Sequence, residues 1–170
     1  LFLAALGRPA PSGRPLAGLG GGISSLSKVA VIGAGNTAMD AMRVCLRLGA
    51  DKVYCVYRRS RAECPARAEE VHHAEQEGIE FHWLTNPVAI LDDGNGAVRG
   101  MICQRMELGE PDKSGRSRPV PVEGSEFELE CDTVVYAIGT NSNPILGQTS
   151  SLRLTDRGYI VADDSLATSI

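Results

Sequence analysis

The residues whose types and spacing could do chemistry are Gly33-Ala34-Gly35-Asn36-Thr37-Ala38, together with Arg58-Arg59 downstream. The first run matches the pattern G-x-G-x-x-G/A, and each small residue in it has a physical task. Gly33 permits a tight turn, Gly35 carries no Cβ and so lets a pyrophosphate approach the backbone, and Ala38 is small enough for a helix to pack against its strand. A helix that starts at this turn offers unpaired N–H groups and about half an elementary positive charge to an anion. Arg58 and Arg59 stand where an NAD-binding unit usually carries an acid for the ribose 2′-hydroxyl. An acid there would repel a 2′-phosphate, whereas a guanidinium donates paired, charge-assisted hydrogen bonds to it. The pair therefore reads as a preference for NADP over NAD; the bland alternative is a solvated basic turn made of Arg58, Arg59 and Arg61.

The remaining reactive side chains assemble no second centre. Thr37 and Asp40 read as a capping box with Asp in the acidic position, and Asn36 as both cap and ligand. His72 and His73 are adjacent on an expected helix and point roughly 100° apart, so they do not converge on a metal; a surface pair between His73 and Glu77 is the better reading. Tyr54 and Trp83 read as core or sheet residues. Cys45, Cys55, Cys64, Cys103 and Cys131 are widely spaced with no C-x-x-C pair, which gives neither a disulfide framework nor a zinc or iron–sulfur site. No nucleophile–base pair, paired carboxylates or metal cluster emerges, so no catalytic residue and no metal ligand is assigned, and a cofactor must carry the hard chemistry.

The elements that position these residues follow from periodicity. Val29, Ala30, Val31 and Ile32 form an apolar run ending at Gly33, as in a strand buried on both faces of a parallel sheet. Over residues 36–48 the apolar positions recur at helical spacing, with Arg43 and Arg47 on another face and Gly49 as a stop. Residues 53–57 read as a second strand, which closes a strand–helix–strand unit over 28–57. A second helix is expected over 65–77 and a third strand over 79–84. Beyond Asn86 the rhythm changes: residues 88–91 and 98–106 pair as a hairpin across Asp92-Asp93-Gly94-Asn95-Gly96. Residues 107–124, broken by Pro111, Gly115, Pro119 and Pro121, are expected to form a long exposed loop before a strand at 127–130. Residues 133–138 return to a buried sheet. Residues 7–27 read as a Gly/Pro/Ser-rich linker and residues 1–6 as the remnant of a preceding helix. No internal repeat is present.

At 170 residues, with 43% hydrophobic and 22% charged residues and a net charge of −4, the chain has the make-up of an ordinary globular protein and no electrostatic footprint for nucleic acid. The apolar opening is too short to span a membrane and lacks a signal-peptide pattern, so no membrane and a reducing, cytoplasmic setting are expected.

Five linked segments carry a family resemblance: VAVIGAGNTAMD at 29–40, VYCVYRRS at 53–60, PARAEEVHHAEQEG at 65–78, MELGEPDKSGRSRPVP at 106–121 and DTVVYAIGTNSNP at 132–144. Together they resemble the NADPH-binding domain of the glutamate synthase small (beta) subunit family, whose relatives include dihydropyrimidine dehydrogenase, sulfide dehydrogenase and NADH-dependent ferredoxin:NADP oxidoreductase. The resemblance implies an α/β fold: a Rossmann-like parallel sheet with an antiparallel β excursion, the NAD(P)-binding domain of a flavoprotein with two dinucleotide-binding domains. It implies that Ala34, Gly35, Asn36 and Thr37 contact the NADPH pyrophosphate, that Arg58 and Arg59 take the 2′-phosphate, and that Ala137, Ile138 and Gly139 line the crossing back into the FAD domain near the nicotinamide. Hydride would pass from NADPH to FAD and onward through iron–sulfur centres. Cys64 stands where relatives usually carry methionine. An earlier G-x-G-x-x-G, a cysteine-rich segment and the closing G-G-D stretch of the family are not found here, so FAD and the iron–sulfur clusters are expected to sit in other parts of the protein.

The expected organisation is residues 1–27 as linker, 28–132 as the NADPH-binding domain and 133–170 as the return strand with part of the FAD domain. The implied partners are that remaining FAD domain, an iron–sulfur segment, and a glutamate synthase large subunit or a ferredoxin-type acceptor. The resemblance points first to a glutamate synthase small subunit, an FAD-dependent oxidoreductase in NADPH-linked glutamate synthesis; the rival readings are a ferredoxin:NADP oxidoreductase subunit and a non-catalytic NADP-binding module. A methyltransferase is disfavoured by Arg58-Arg59, and a short-chain dehydrogenase by the lack of any tyrosine followed four residues later by lysine.

Overall fold

The computed structural model describes residues 4–7, 27–111, 115–140 and 142–170. The chain divides into a larger unit, Leu3–Ile138, and a smaller one that contains Gly139–Ile170.

The larger unit is built on a five-stranded sheet. Its strands are β1 (Ala4–Gly7), β2 (Lys28–Ile32), β3 (Lys52–Val56), β4 (Glu80–His82) and a late strand, β9 (Thr133–Tyr136), in the order β1-β9-β2-β3-β4. β9, β2, β3 and β4 run parallel, and β1 joins the edge antiparallel to β9, with Ala5 opposite Val135. Residues 4–7, expected to end a helix, are therefore strand. The linker expected over 7–27 lies almost wholly outside the described residues.

Because alternate residues of a strand face opposite sides, the unbroken apolar runs of β2 and β3 fill two cores. Val29, Val31, Val53, Cys55, Val135 and Ala137 face the helical side. There they meet α1 (Asn36–Arg47) through Met39 and Met42, and α2 (Ala68–Gln76) through Val71 and Ala74. Met39 and Met42 are fully buried, and truncation of either to alanine is expected to cost roughly 2–5 kcal/mol. Ala30, Ile32, Tyr54, Val56 and Val134 face the other way. That side is covered not by helices but by the antiparallel excursion: β5 (Thr85–Asp92), β6 (Val98–Pro111), β7 (Ser117–Pro121) and β8 (Phe127–Glu130), with Met101, Cys103 and Leu129 in the contact.

α1 ends where the sequence predicts: Gly49 has a φ of 96° and its N–H reaches the Leu46 carbonyl at 2.9 Å. α2 starts later than expected, at Ala68: Arg67 is extended, with φ −62° and ψ 140°, and the N–H groups of Ala66 and Arg67 reach the glycine turn. β4 is cut to three residues by Leu84, whose φ of 51° turns the chain into β5. The β5–β6 hairpin forms as predicted; its Asp93 carboxylate accepts the N–H groups of Asn95 and Ala97 at 2.8 and 3.1 Å.

The stretch 107–124 is not a long loop. β6 continues to Pro111 and pairs with β7, Met106 opposite Pro121 and Pro111 opposite Ser117. The prolines fit because Pro119 and Pro121 lie on the outer strand β7, and Pro111 ends β6 beyond the part that pairs with β5 and β8, so the missing N–H groups break no central ladder.

In the smaller unit, α3 (Ile145–Thr149) and a bridge between Leu154 and Ile160 are the regular features. Among the described residues no helix is long and apolar enough to cross a membrane.

Candidate functional site

The glycine turn sits between β2 and α1, at the carboxyl end of the parallel strands. Gly33 has a φ of 125° and donates its N–H to the Val56 carbonyl at 3.0 Å. A Cβ there would lie 2.4 Å from the carbonyl oxygen of Ala137, so the close passage of the chain leaving β9 demands glycine. Gly35 is different. It is the N-cap of α1 with φ −82° and ψ 174°, and a Cβ on it would meet nothing within 4 Å. Neither the backbone nor any packed neighbour requires glycine at 35, which leaves the open space beside it for a ligand. Ala34 and Ala38 are buried, Thr37 is half-buried and Asn36 is exposed.

No side chain caps α1, and its first internal hydrogen bond runs from Met39 N–H to the Gly35 carbonyl at 3.1 Å. The expected Thr37–Asp40 capping box is thus absent: the helix begins at Asn36, which puts Thr37 inside the first turn rather than at the cap. The N–H groups of that turn stay outside the helix ladder and can receive an anion.

The segment after β3 closes over the turn from one side. The Ala34 carbonyl accepts the Ala66 N–H at 3.2 Å and the Cys64 thiol at 3.2 Å, and the Asn36 side-chain oxygen accepts the Arg67 N–H at 3.1 Å. Cys55 Sγ donates to the Gly33 carbonyl at 3.4 Å. Burial pushes both thiols up, which favours the neutral, hydrogen-donating form.

Arg58 and Arg59 are separated by the structure. Arg58 is exposed, and its guanidinium has no partner among the described residues. Arg59 is 6% exposed and donates Nε–H to the Ser117 carbonyl of β7 at 3.0 Å. Arg61 pairs with Glu75 through both guanidinium nitrogens. Ala137 is buried and donates to the Ile32 carbonyl at 2.8 Å, Ile138 is exposed, and Gly139 opens the smaller unit.

Some residues of this region escaped the sequence reading. Ser60 and Glu63 form the capping box that Thr37 and Asp40 do not: Ser60 Oγ accepts the Ala62 N–H, and Glu63 accepts the Ser60 N–H at 3.2 Å. The Ser60 hydroxyl holds the Glu63 carboxyl below its usual range, helped by the Arg59 charge. The S-x-x-E pattern was visible in the sequence. Arg67, exposed beside Asn36, had a weaker signal as an arginine just ahead of an acidic helix start. Ser117 had none, since it lies far along the chain from Arg59. His72 and His73 are exposed, and among the described residues no group of His, Cys, Asp or Glu could hold a metal. Glu77 does not pair with His73: it accepts from Arg43 and Arg47 of α1 at 2.8 and 3.0 Å.

Comparison with known proteins agrees with this geometry. The profile of the pyridine nucleotide-disulphide oxidoreductase family matches residues 10–170. The chain is 52% identical over 143 residues to the NADP(+)-dependent formate dehydrogenase subunit beta of Moorella thermoacetica, covering 84% of this chain and 20% of that one. It is 52% identical to the NADPH-Fe(3+) oxidoreductase subunit beta of Geobacter sulfurreducens, covering 78% and 19%. With the glutamate synthase (NADPH) small chain of Azospirillum brasilense the identity is 39%, covering 79% and 28%. The chain therefore spans between a fifth and a third of the length of these relatives. Thioredoxin reductase of T. acidophilum shares the fold at a TM-score of 0.64 and 21% identity, over 84% of this chain and 41% of that one. The glycine turn, the uncapped helix, the three-layer α/β/β arrangement and these matches lead to one conclusion: the chain belongs to the pyridine nucleotide-disulphide oxidoreductase family.

Proposed function

We propose that this chain is the NADPH-binding part of an FAD-dependent oxidoreductase that passes hydride between NADPH and flavin. The observation that carries the reading is Gly35: a glycine that neither backbone conformation nor packing requires, at the head of an uncapped helix whose N–H groups can meet a pyrophosphate. In this reading Gly33 and Ala38 shape the turn, while Ala34, Gly35, Asn36 and Thr37 border the pyrophosphate. Arg58 and Arg59, at the end of the neighbouring strand, form the cationic turn for the 2′-phosphate. Ala137, Ile138 and Gly139 lie toward the nicotinamide. Bound NADPH supplies the hydride; the chain's own residues bind and orient, and none is assigned to proton transfer. FAD, and any iron–sulfur centre, would be held by the remainder of the protein.

The whole protein would then be a glutamate synthase small chain or an NADPH-linked electron-transfer subunit. The higher identity to the formate dehydrogenase and iron-reductase beta subunits, 52% against 39%, favours the second. Isothermal titration with NADPH and NADH tests the common core of both readings. NADPH is expected to bind at least about tenfold more tightly, a difference of about 1.4 kcal/mol; equal affinities would refute the assignment.

A further inference from the structure

We propose that His82 is an acid-released latch between the two sheets of the larger unit: with its imidazole neutral the antiparallel excursion closes on the edge of the parallel sheet, and a proton on the ring loosens that junction. The inference stands apart from the nucleotide reading, which gives His82 no task.

His82 ends β4 and lies opposite Val56 of β3, as Glu80 lies opposite Tyr54, so these four residues share the face that the antiparallel strands cover. The His82 side chain is 15% exposed. Its ring makes a T-shaped contact with Tyr54 of its own sheet, centroids 5.5 Å apart, and lies nearly parallel to Phe127 of β8 at 6.5 Å. The imidazole therefore sits in the seam between the sheets. Its Nε2 is buried and has no hydrogen-bond partner among the described residues. Glu80 Oε1 lies 3.0 Å away but out of line for a hydrogen bond, and the other oxygen of that carboxylate is held by Lys52 at 2.7 Å.

The sign of the effect depends on which charges arrive when the seam closes. Glu80 and Lys52 belong to the parallel sheet, as does the Tyr54 phenol, and they stay beside the ring whether the seam is open or closed. The antiparallel side brings Phe127 and, with its Cζ 4.4 Å from the centroid of that ring, the Arg105 guanidinium, which also donates to Thr85 of β5 at 3.3 Å. The acids of β8 have other partners: Glu128 pairs with Arg99 and Glu130 with Lys28, while Glu126 just before the strand accepts from Gln104. Closing thus strips water from Nε2 and adds a cation, without adding an aligned acceptor. A neutral imidazole loses one water contact there. An imidazolium loses its hydration and meets Arg105, and these two costs outweigh the reduced screening of its attraction to Glu80. The seam is therefore held closed above the imidazole range and is released as pH falls through about 8 to 5.

The test is backbone hydrogen exchange on the full chain, read as protection factors for residues 100–103 and 127–130 between about pH 7.5 and 5.5, above the range in which carboxylates titrate. Wild type is expected to lose at least about threefold protection in these two strands toward acid, while residues 29–32 of β2 keep theirs. His82→Phe, which keeps a ring in the seam but cannot take up a proton, is expected to show no such loss, and Arg105→Gln a smaller one. Protection that is flat or rises toward acid in wild type would overturn the proposal. A loss that persists in His82→Phe, that is undiminished in Arg105→Gln, or that β2 shares would overturn it as well. If His82→Phe does not fold, His82→Gln carries the same comparison.

Discussion

Gly33 and Gly35 belong to one motif but answer to different forces, and substitution separates them. Gly33→Ala must hold a side chain at a φ of 125° with its Cβ 2.4 Å from the Ala137 carbonyl oxygen. Backbone strain of roughly 1–3 kcal/mol and a clash against main chain add together, so chemical denaturation is expected to show a loss of at least about 2 kcal/mol. Gly35→Val places its side chain in open space on an extended backbone. Its midpoint of thermal unfolding should stay close to wild type while NADPH affinity collapses, because the side chain fills the room a pyrophosphate needs. A Gly35→Val protein that binds normally would put the phosphate somewhere else. Arg67 is exposed, and its N–H is held by the Asn36 side chain beside the same turn. Arg67→Ala is expected to weaken NADPH and NADH by similar factors, which titration with both nucleotides would check.

At the scale of elements, α1 and α2 are held side by side by their apolar faces and by two acidic groups, Glu70 and Glu77. Glu77, just past α2, accepts from Arg43 and Arg47 of α1, and Arg43 also reaches Glu70. Partial burial by itself would raise the Glu77 carboxyl, but the two guanidiniums more than offset this and hold it below its ordinary value of 4.5. A carboxyl lowered on folding contributes stability that is complete above its unfolded value and is lost as pH falls through the folded one. Urea midpoints measured on either side of pH 4.5 should therefore show a steeper acid loss for wild type than for Glu77→Gln; parallel curves would mean that the pair contributes nothing. The α2 start and the β6–β7 ribbon show the limit of local patterns at this scale. Pro65, Ala66 and Arg67 look like the first helical turn, but this segment is drawn onto Ala34 and Asn36 and Arg67 is extended. The prolines at 111 and 119 look like loop residues, but the far end of β6 and the outer strand β7 tolerate them.

At the scale of the molecule, the parallel sheet is a central layer with helices on one face and an antiparallel sheet on the other. In the proposed function the larger unit holds one dinucleotide, at the carboxyl ends of β2, β3 and β9. Hydride transfer also needs an acceptor held within about 3–3.5 Å of the donor in an aligned geometry. Among the described residues one glycine turn of this kind is present, and the smaller unit contributes a five-residue helix and a single bridge. The 170-residue polypeptide is therefore expected to bind NADPH yet retain no FAD after desalting, and to show no NADPH consumption with an artificial acceptor. Stoichiometric flavin absorbance with turnover would place a flavin site within this chain.

Local chemistry was enough for the elements whose forces are local. The apolar runs of β2 and β3, the glycine turn, the helical spacing of α1 with its stop at Gly49, and the Asp/Gly hairpin all state their conformation within a few residues of chain. The two-sided apolar character of β2 even announced a sheet covered on both faces. What the sequence by itself could not determine is what covers each face and which partner each polar group finds. An antiparallel sheet and a pair of helices bury the same valines equally well, and only the packed chain shows Met101, Cys103 and Leu129 on one side and Met39 and Met42 on the other. The same holds for Arg58 and Arg59. Adjacent and identical in the sequence, they are distinguished only when the fold brings Ser117 to one of them, because burial and hydrogen bonding are properties of neighbours in space.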